Sequence, residues 1–72
     1  MEKKIIKLLV CDQEIAVSID VEQESDFRKA AKTVNDDFAK YKAAYSSVED
    51  EKIIAFLLLH LAIKANNQSQ SE

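Results

Sequence analysis

"IIAFLLLHLAIKA", residues 53–65, decides the fold. A helix of a soluble protein ordinarily carries one apolar stripe and one wet face. Wound at about 3.6 residues per turn, this segment is apolar nearly all round, and only His60 and Lys64 give it a polar side. Such a helix needs two walls. The rest of a 72-residue chain can supply one of them, and the question is what supplies the other.

Working outward, the segment is preceded by "SSVED" at 46–50, where Ser47 and Asp50 have capping-box spacing and Glu49, Asp50 and Glu51 suit the positive end of a helix dipole. A helix from about 48 to 65 is predicted, ended by Asn66 and Asn67, which tolerate a left-handed terminal residue. The polar "NNQSQSE" at 66–72 has no apolar residue and is expected to be a disordered tail. Further upstream, Phe27, Ala31, Val34, Phe38, Tyr41 and Tyr45 recur at alternating spacings of four and three, which predicts an amphipathic helix over 22–45. Asp20 and Gln23 have the spacing that starts it. Arg28, Lys29, Lys32, Asp36 and Lys40 face away, with Glu24–Arg28 and Asp36–Lys40 as helix-surface ion pairs.

Ahead of that helix, "KIIKLLVC" (4–11) is rich in branched residues, and "EIAVSI" (14–19) alternates with Ile15, Val17 and Ile19 on one face. Asp12 and Gln13 between them make a tight reversal, so the pair reads as a β-hairpin. The chain has no Gly and no Pro, which leaves Asp, Asn, Ser and Gln to make every turn and leaves the turn type open. A lone hairpin is barely stable and must lie on something apolar. The fold class is therefore α+β: an N-terminal hairpin followed by two helices, the second a dimerisation helix, with residues 1–65 as the domain.

Composition narrows the function classes. Cys11 is the sole cysteine, so no intrachain disulfide can staple the fold. His60 and Cys11 are the only soft ligands and lie far apart, which leaves no metal site and no cofactor. No nucleophile–base triad, Gly-rich phosphate loop or ligand spacing occurs, so an enzyme is not expected. The formal charge is −3 with both signs mixed along the chain, without the concentrated basic patch that nucleic-acid binding needs. "MEKKIIKLLVC" resembles a lipoprotein leader, but Lys7 splits its apolar run and Val10 is not the small residue such a site wants. Residues 53–63 fall short of the roughly 20 apolar residues of a membrane span. A soluble, cytoplasmic protein is expected.

A domain of this size buries little more than half of its unfolded surface and gains most from a partner copy. Leaving residues such as Ile54, Leu58, Leu61 and Ala65 wet forgoes about 1.5–3 kcal/mol for each large aliphatic, against a domain stability of about 5–15 kcal/mol. The second wall is expected to be another copy of the chain. The expected dimer interface comprises Ile54, Phe56, Leu57, Leu58, Leu59, Leu61, Ala62, Ile63 and Ala65. The competing answer is an adaptor module whose apolar helix docks into a different protein.

"FRKAAKTVNDDFAKYKAAY" (27–45) and "SVEDEKIIAFLLLHLA" (47–62), following the hairpin "IIKLLVCDQEIAVSI" (5–19), resemble the ZapA family of bacterial cell-division proteins. The resemblance spans residues 4–65. It implies a non-enzymatic protein at the division site that associates with filaments of FtsZ, the tubulin-like polymer of the division ring. It also implies dimerisation through the last helix, further pairing into tetramers in longer chains, and alignment or cross-linking of filaments. Family members usually continue the last helix as a coiled coil, where this chain has "NNQSQSE". Their hairpin tip often carries glycine and a basic residue, where this one has Asp12-Gln13.

Single residues stay open at this level. Arg28, Lys29 and Lys32 form the basic cluster and fit either contact with an acidic filament or an ordinary solvated face. Asn35 fits a backbone cap, a polar dimer contact or a solvated helix edge. His60 fits an interface rim, and Tyr41 and Tyr45 extend the core stripe with hydroxyls able to reach water.

Overall fold

The computed structural model describes residues 2–70, with side chains through Asn67. Its elements are β1 (Lys3–Val10), β2 (Gln13–Asp20), a 3-10 turn (Val21–Gln23), α1 (Glu24–Ala44) and α2 (Asp50–Gln70). The expected α+β order of an antiparallel hairpin and two helices is the observed one. The chain divides into two compact units, one ending at Asp36 and the other beginning at Asp37, so α1 runs through both.

In the first unit, β1 and β2 pair antiparallel with Lys3 opposite Asp20 and Val10 opposite Gln13. Strand side chains alternate between faces. Ile6, Leu8 and Ile19 therefore share one face and are buried, with Val10, Val17, Phe27 and Ala31 packed against them. Phe27 and Ala31 belong to the stripe that marks α1, so the helix lies on this face of the hairpin. Ile15, on the same face but near the tip, is left exposed.

The turn is not where the sequence suggests. It is made by Cys11 and Asp12 rather than Asp12 and Gln13, both with positive φ (52° and 67°). A two-residue loop with two left-handed residues matches the right-handed twist of the strands it joins. Placing Gln13 in the strand keeps Ile15, Val17 and Ile19 opposite Leu8, Ile6 and Lys4 on the core side. A shift by one residue would turn the whole apolar set outward, so the core sets the register and the turn complies.

The 3-10 turn and α1 begin as the Asp20–Gln23 spacing predicts: the Asp20 N–H donates to Gln23 Oε1 at 3.2 Å. Glu24 then holds two cations, Lys4 at 2.8 Å and Arg28 at 2.9 Å. These hydrogen bonds and charges keep its carboxyl below the usual glutamate range, Lys4 having the larger effect. Asp36 pairs with Lys32 at 3.1 Å instead of with Lys40. Lys32 and Lys40 lie one turn on either side of it, and the carboxylate takes the former.

In the second unit, Phe38, Ile53 and Leu57 are buried. Residues 45–47 form a turn in which the Val48 N–H reaches the Tyr45 carbonyl at 3.0 Å. The cap of α2 is Glu49 rather than Ser47: its carbonyl accepts from the N–H groups of Lys52 and Ile53, both at 3.1 Å. Asp50 turns instead toward Lys42, 3.7 Å away, and Lys42 also lies 5.3 Å over the Phe38 ring. The far end of α2 departs further from expectation. Asn66 and Asn67 do not stop the helix, which continues to Gln70. Asn and Gln cost a helix under about 1 kcal/mol each, and no Gly or Pro follows to break it. Residues 71–72 of the expected disordered tail lie outside the described residues.

Candidate functional site

The site is a surface rather than a pocket lined by reactive groups. At about 100° per residue, α2 turns Ile53 and Leu57 inward, with Ile54 and Leu61 half-buried beside them. Leu57 is only 2% exposed, so it is packed within its own chain. The remaining arc is bare. Leu58, Leu59 and Ile63 are 63%, 64% and 56% exposed, Phe56 is partly exposed, and Ala62 and Ala65 lie among them. The nine residues expected at an interface therefore separate into an inward set (Ile54, Leu57, Leu61) and an outward set (Phe56, Leu58, Leu59, Ala62, Ile63, Ala65).

One edge of this surface is aromatic. Tyr41 and Phe56 meet edge-to-face at 5.4 Å between ring centres, and Tyr45 meets Phe56 at 6.5 Å. His60 joins the cluster, 5.7 Å from Tyr41 and 5.6 Å from Phe56. Tyr41, Tyr45, Val48, Lys52, Ile53 and Phe56 line an open apolar cleft of about 290 Å³. The Tyr41 and Tyr45 spacing marks the α1 side of this cluster in the sequence, but the place of His60 in it needed the helix pairing.

The basic cluster of α1 is exposed and already partly neutralised, Arg28 by Glu24 and Lys32 by Asp36. Lys29 is exposed beside them. Among the described residues no group of His, Cys, Asp and Glu is placed to hold a metal ion, and no helix is long and apolar enough to cross a membrane.

Asn35 resolves to a backbone partner. Its Oδ1 accepts from the Cys11 N–H at 2.8 Å, and its Nδ2 donates to the Leu9 carbonyl at 2.8 Å. The bond from the Val21 N–H to the Glu2 carbonyl, with the register, places Glu2, Lys4, Ile6, Leu8 and Val10 in the hydrogen-bonded pairs. Leu9 consequently points its carbonyl away from β2. The amide of Asn35 thus does what a neighbouring strand would do, giving one donor and one acceptor to the edge beside the turn.

The model of the family described as "Cell division protein ZapA" matches residues 6–72. The chain belongs to the ZapA family. It is a member of a family of cell-division proteins associated with FtsZ, a non-enzymatic and cytoplasmic family of the division machinery whose members oligomerise. The match begins inside β1 and takes in the hairpin, both helices and the polar end of this ZapA-family chain. No curated protein and no solved structure matches it.

Proposed function

We propose that this chain binds FtsZ filaments and promotes their alignment or cross-linking as a homo-oligomer, at the division site. The observation that carries the reading is the bare apolar arc of α2, with Leu58, Leu59 and Ile63 each more than half exposed. Three large aliphatics left in water forgo about 1.5–3 kcal/mol apiece, a sizeable share of a small domain's stability. A two-fold axis along this arc makes one patch its own complement, with the aromatic cluster at the rim. Arg28, Lys29 and Lys32 are the candidate filament contacts. Two such heads on one particle grip neighbouring filaments by avidity, so each contact can be weak. No step of this function requires a catalytic group or a cofactor.

Pelleting with GTP-assembled FtsZ tests the reading, with wild-type chain and Leu58→Glu compared and the oligomeric state of each measured alongside. Wild type is expected to be a dimer and to sediment with polymer, and Leu58→Glu to be monomeric and to stay largely in the supernatant. A dimeric wild type that never sediments sinks the filament assignment and favours the adaptor alternative. A monodisperse monomer at tens of micromolar sinks the dimer.

A further inference from the structure

The two edges of the hairpin are not alike. Gln13, Ile15, Val17 and Ile19 bond to β1, so Glu14, Ala16, Ser18 and Asp20 turn their backbone N–H and C=O groups the other way. On the opposite edge, Lys3, Ile5, Lys7 and Leu9 do the same. That edge is blunted by Lys3 and Lys7 and by the Asn35 amide, which takes the Leu9 carbonyl. β2 has no Lys, no Pro and no bulge. Its Asp20 N–H is given to Gln23 Oε1 at 3.2 Å. Among the described residues nothing outside the hairpin bonds to Glu14, Ala16 or Ser18. An open edge of this kind is a template for another strand.

The inner face of β2 is incomplete on the same side. Asn35 draws α1 toward the β1 edge beside the turn, through its bonds to Leu9 and Cys11. Ile15, near that end of β2, is left 40% exposed although Leu8 opposite it is buried. An apolar side chain on a further strand would cover it.

We propose that this strand is β2 of a second copy, paired antiparallel about a two-fold axis at Ala16. Ala16 then meets the partner's Ala16, Glu14 meets the partner's Ser18, and Ile15 packs on the partner's Val17. The Ala16 pair and both Glu14–Ser18 pairs each exchange two backbone hydrogen bonds. Each Ser18 hydroxyl faces a carboxylate, that of the partner's Glu14. Asp20 meets the partner's Asp12 only beyond the strand, and Lys3 holds Asp20 at 3.3 Å. Other registers fit less well. An axis at Val17 sets Glu14 against the partner's Asp20 in both halves, a like-charge contact. An axis at Ser18 needs the Asp20 N–H that Gln23 has taken, and one at Ile15 pairs Ser18 with the turn. Pairing β1 with the partner's β2 meets the Asn35 bond and never closes. The result is a four-stranded sheet with both inner faces on one side and an α1 over each hairpin. A hairpin about 10 Å wide matches a helix about 10 Å across. This edge is separate from the arc of α2.

The test uses the full chain carrying Leu58→Glu, labelled for amide NMR, so that it does not depend on the dimer proposed through that arc. Bringing two chains together consumes most of what backbone bonds return. Pairing by this edge alone is therefore expected at about 1 mM, above the range in which Leu58→Glu is monomeric. On dilution from about 1 mM to about 50 µM, the amides of Glu14, Ala16 and Ser18 are expected to shift together and to exchange faster with solvent. A half-labelled sample at the higher concentration is expected to show Ile15 against the partner's Val17. Ser18→Glu should weaken pairing about tenfold, Ser18→Lys should tighten it, and Glu14→Lys combined with Ser18→Glu should restore it. Both side chains are exposed, and a dispersed spectrum checks each fold; should a variant unfold, dilution and the half-labelled sample still decide.

Five results overturn the proposal: edge amides unchanged by dilution; a contact that reports another register; Ser18→Glu and Ser18→Lys acting alike; shifts centred on Ile5, Lys7 and Leu9; or edge protection that appears only with FtsZ polymer. The fourth would make the contact a stacking of hairpin faces, and the fifth would make the filament the occupant.

Discussion

Replacing Asn35 tests whether one side chain holds the hairpin turn. Asn35→Ala removes two hydrogen bonds, each 2.8 Å long, from the Cys11 N–H and the Leu9 carbonyl. At about 0.5–1.5 kcal/mol per bond, the expected loss is about 1–3 kcal/mol. A chain of 72 residues, at about 0.05–0.15 kcal/mol per residue, has only about 4–11 kcal/mol to lose. With about 4–8 °C per kcal/mol for so small a domain, the melting temperature should fall by roughly 5–20 °C. Cys11 aggravates the loss: a non-glycine residue at φ 52° is intrinsically disfavoured, and the clamp holds it there. The sharper variant is Asn35→Asp, nearly the same shape. Its ionised carboxylate can accept from the Cys11 N–H but has no proton to give the Leu9 carbonyl, and it meets that oxygen with a charge. It should therefore be less stable than wild type at pH 7, and the deficit should shrink on acidification. The sign follows from linkage: facing a carbonyl, the introduced aspartate has a folded pKa raised above its unfolded value of about 3.9. Its favourable contribution is fully present below that value and lost as pH rises through the folded pKa. Thermal melts by circular dichroism at pH 7 and pH 3, read against wild type at each pH, measure it. An Asn35→Asp chain as stable as wild type at pH 7 would refute the clamp.

The two sides of α2 should respond differently to truncation. Leu57→Ala, at a fully buried site, should cost about 2–5 kcal/mol at every protein concentration. Leu59→Ala, at a bare one, should weaken association and lose its effect on dilution to monomer; concentration-dependent melts that treat the two alike would argue against an interface on that arc. The Glu24 carboxylate, lowered by its hydrogen bonds to Lys4 and Arg28, stabilises the fold above its unfolded pKa, and that contribution fades as pH falls through the lower folded value. Glu24→Gln should thus melt below wild type at neutral pH and converge on it in strong acid, and a gap that widens on acidification contradicts the assignment.

The sequence by itself determined the order of elements and the faces they bury. The four–three spacing from Phe27 to Tyr41 and the alternation of Ile15, Val17 and Ile19 leave little choice, because a helix or strand with those patterns has only one apolar side to cover. It also carried the family, whose match runs from within β1 through both helices. Three features were decided only in three dimensions. The hairpin turned at Cys11-Asp12 because core register outweighs local turn preference, and the Asn35 amide was there to hold it. The second helix started at Asp50 and ran past Asn66 because caps act weakly, each worth about 1 kcal/mol. The all-round apolar helix proved to have one inward side and one bare arc, a division that no periodicity could reveal because both sides are written in the same residues. Local pattern fixes which side chains avoid water, whereas only packing settles which of them have already found cover within the chain.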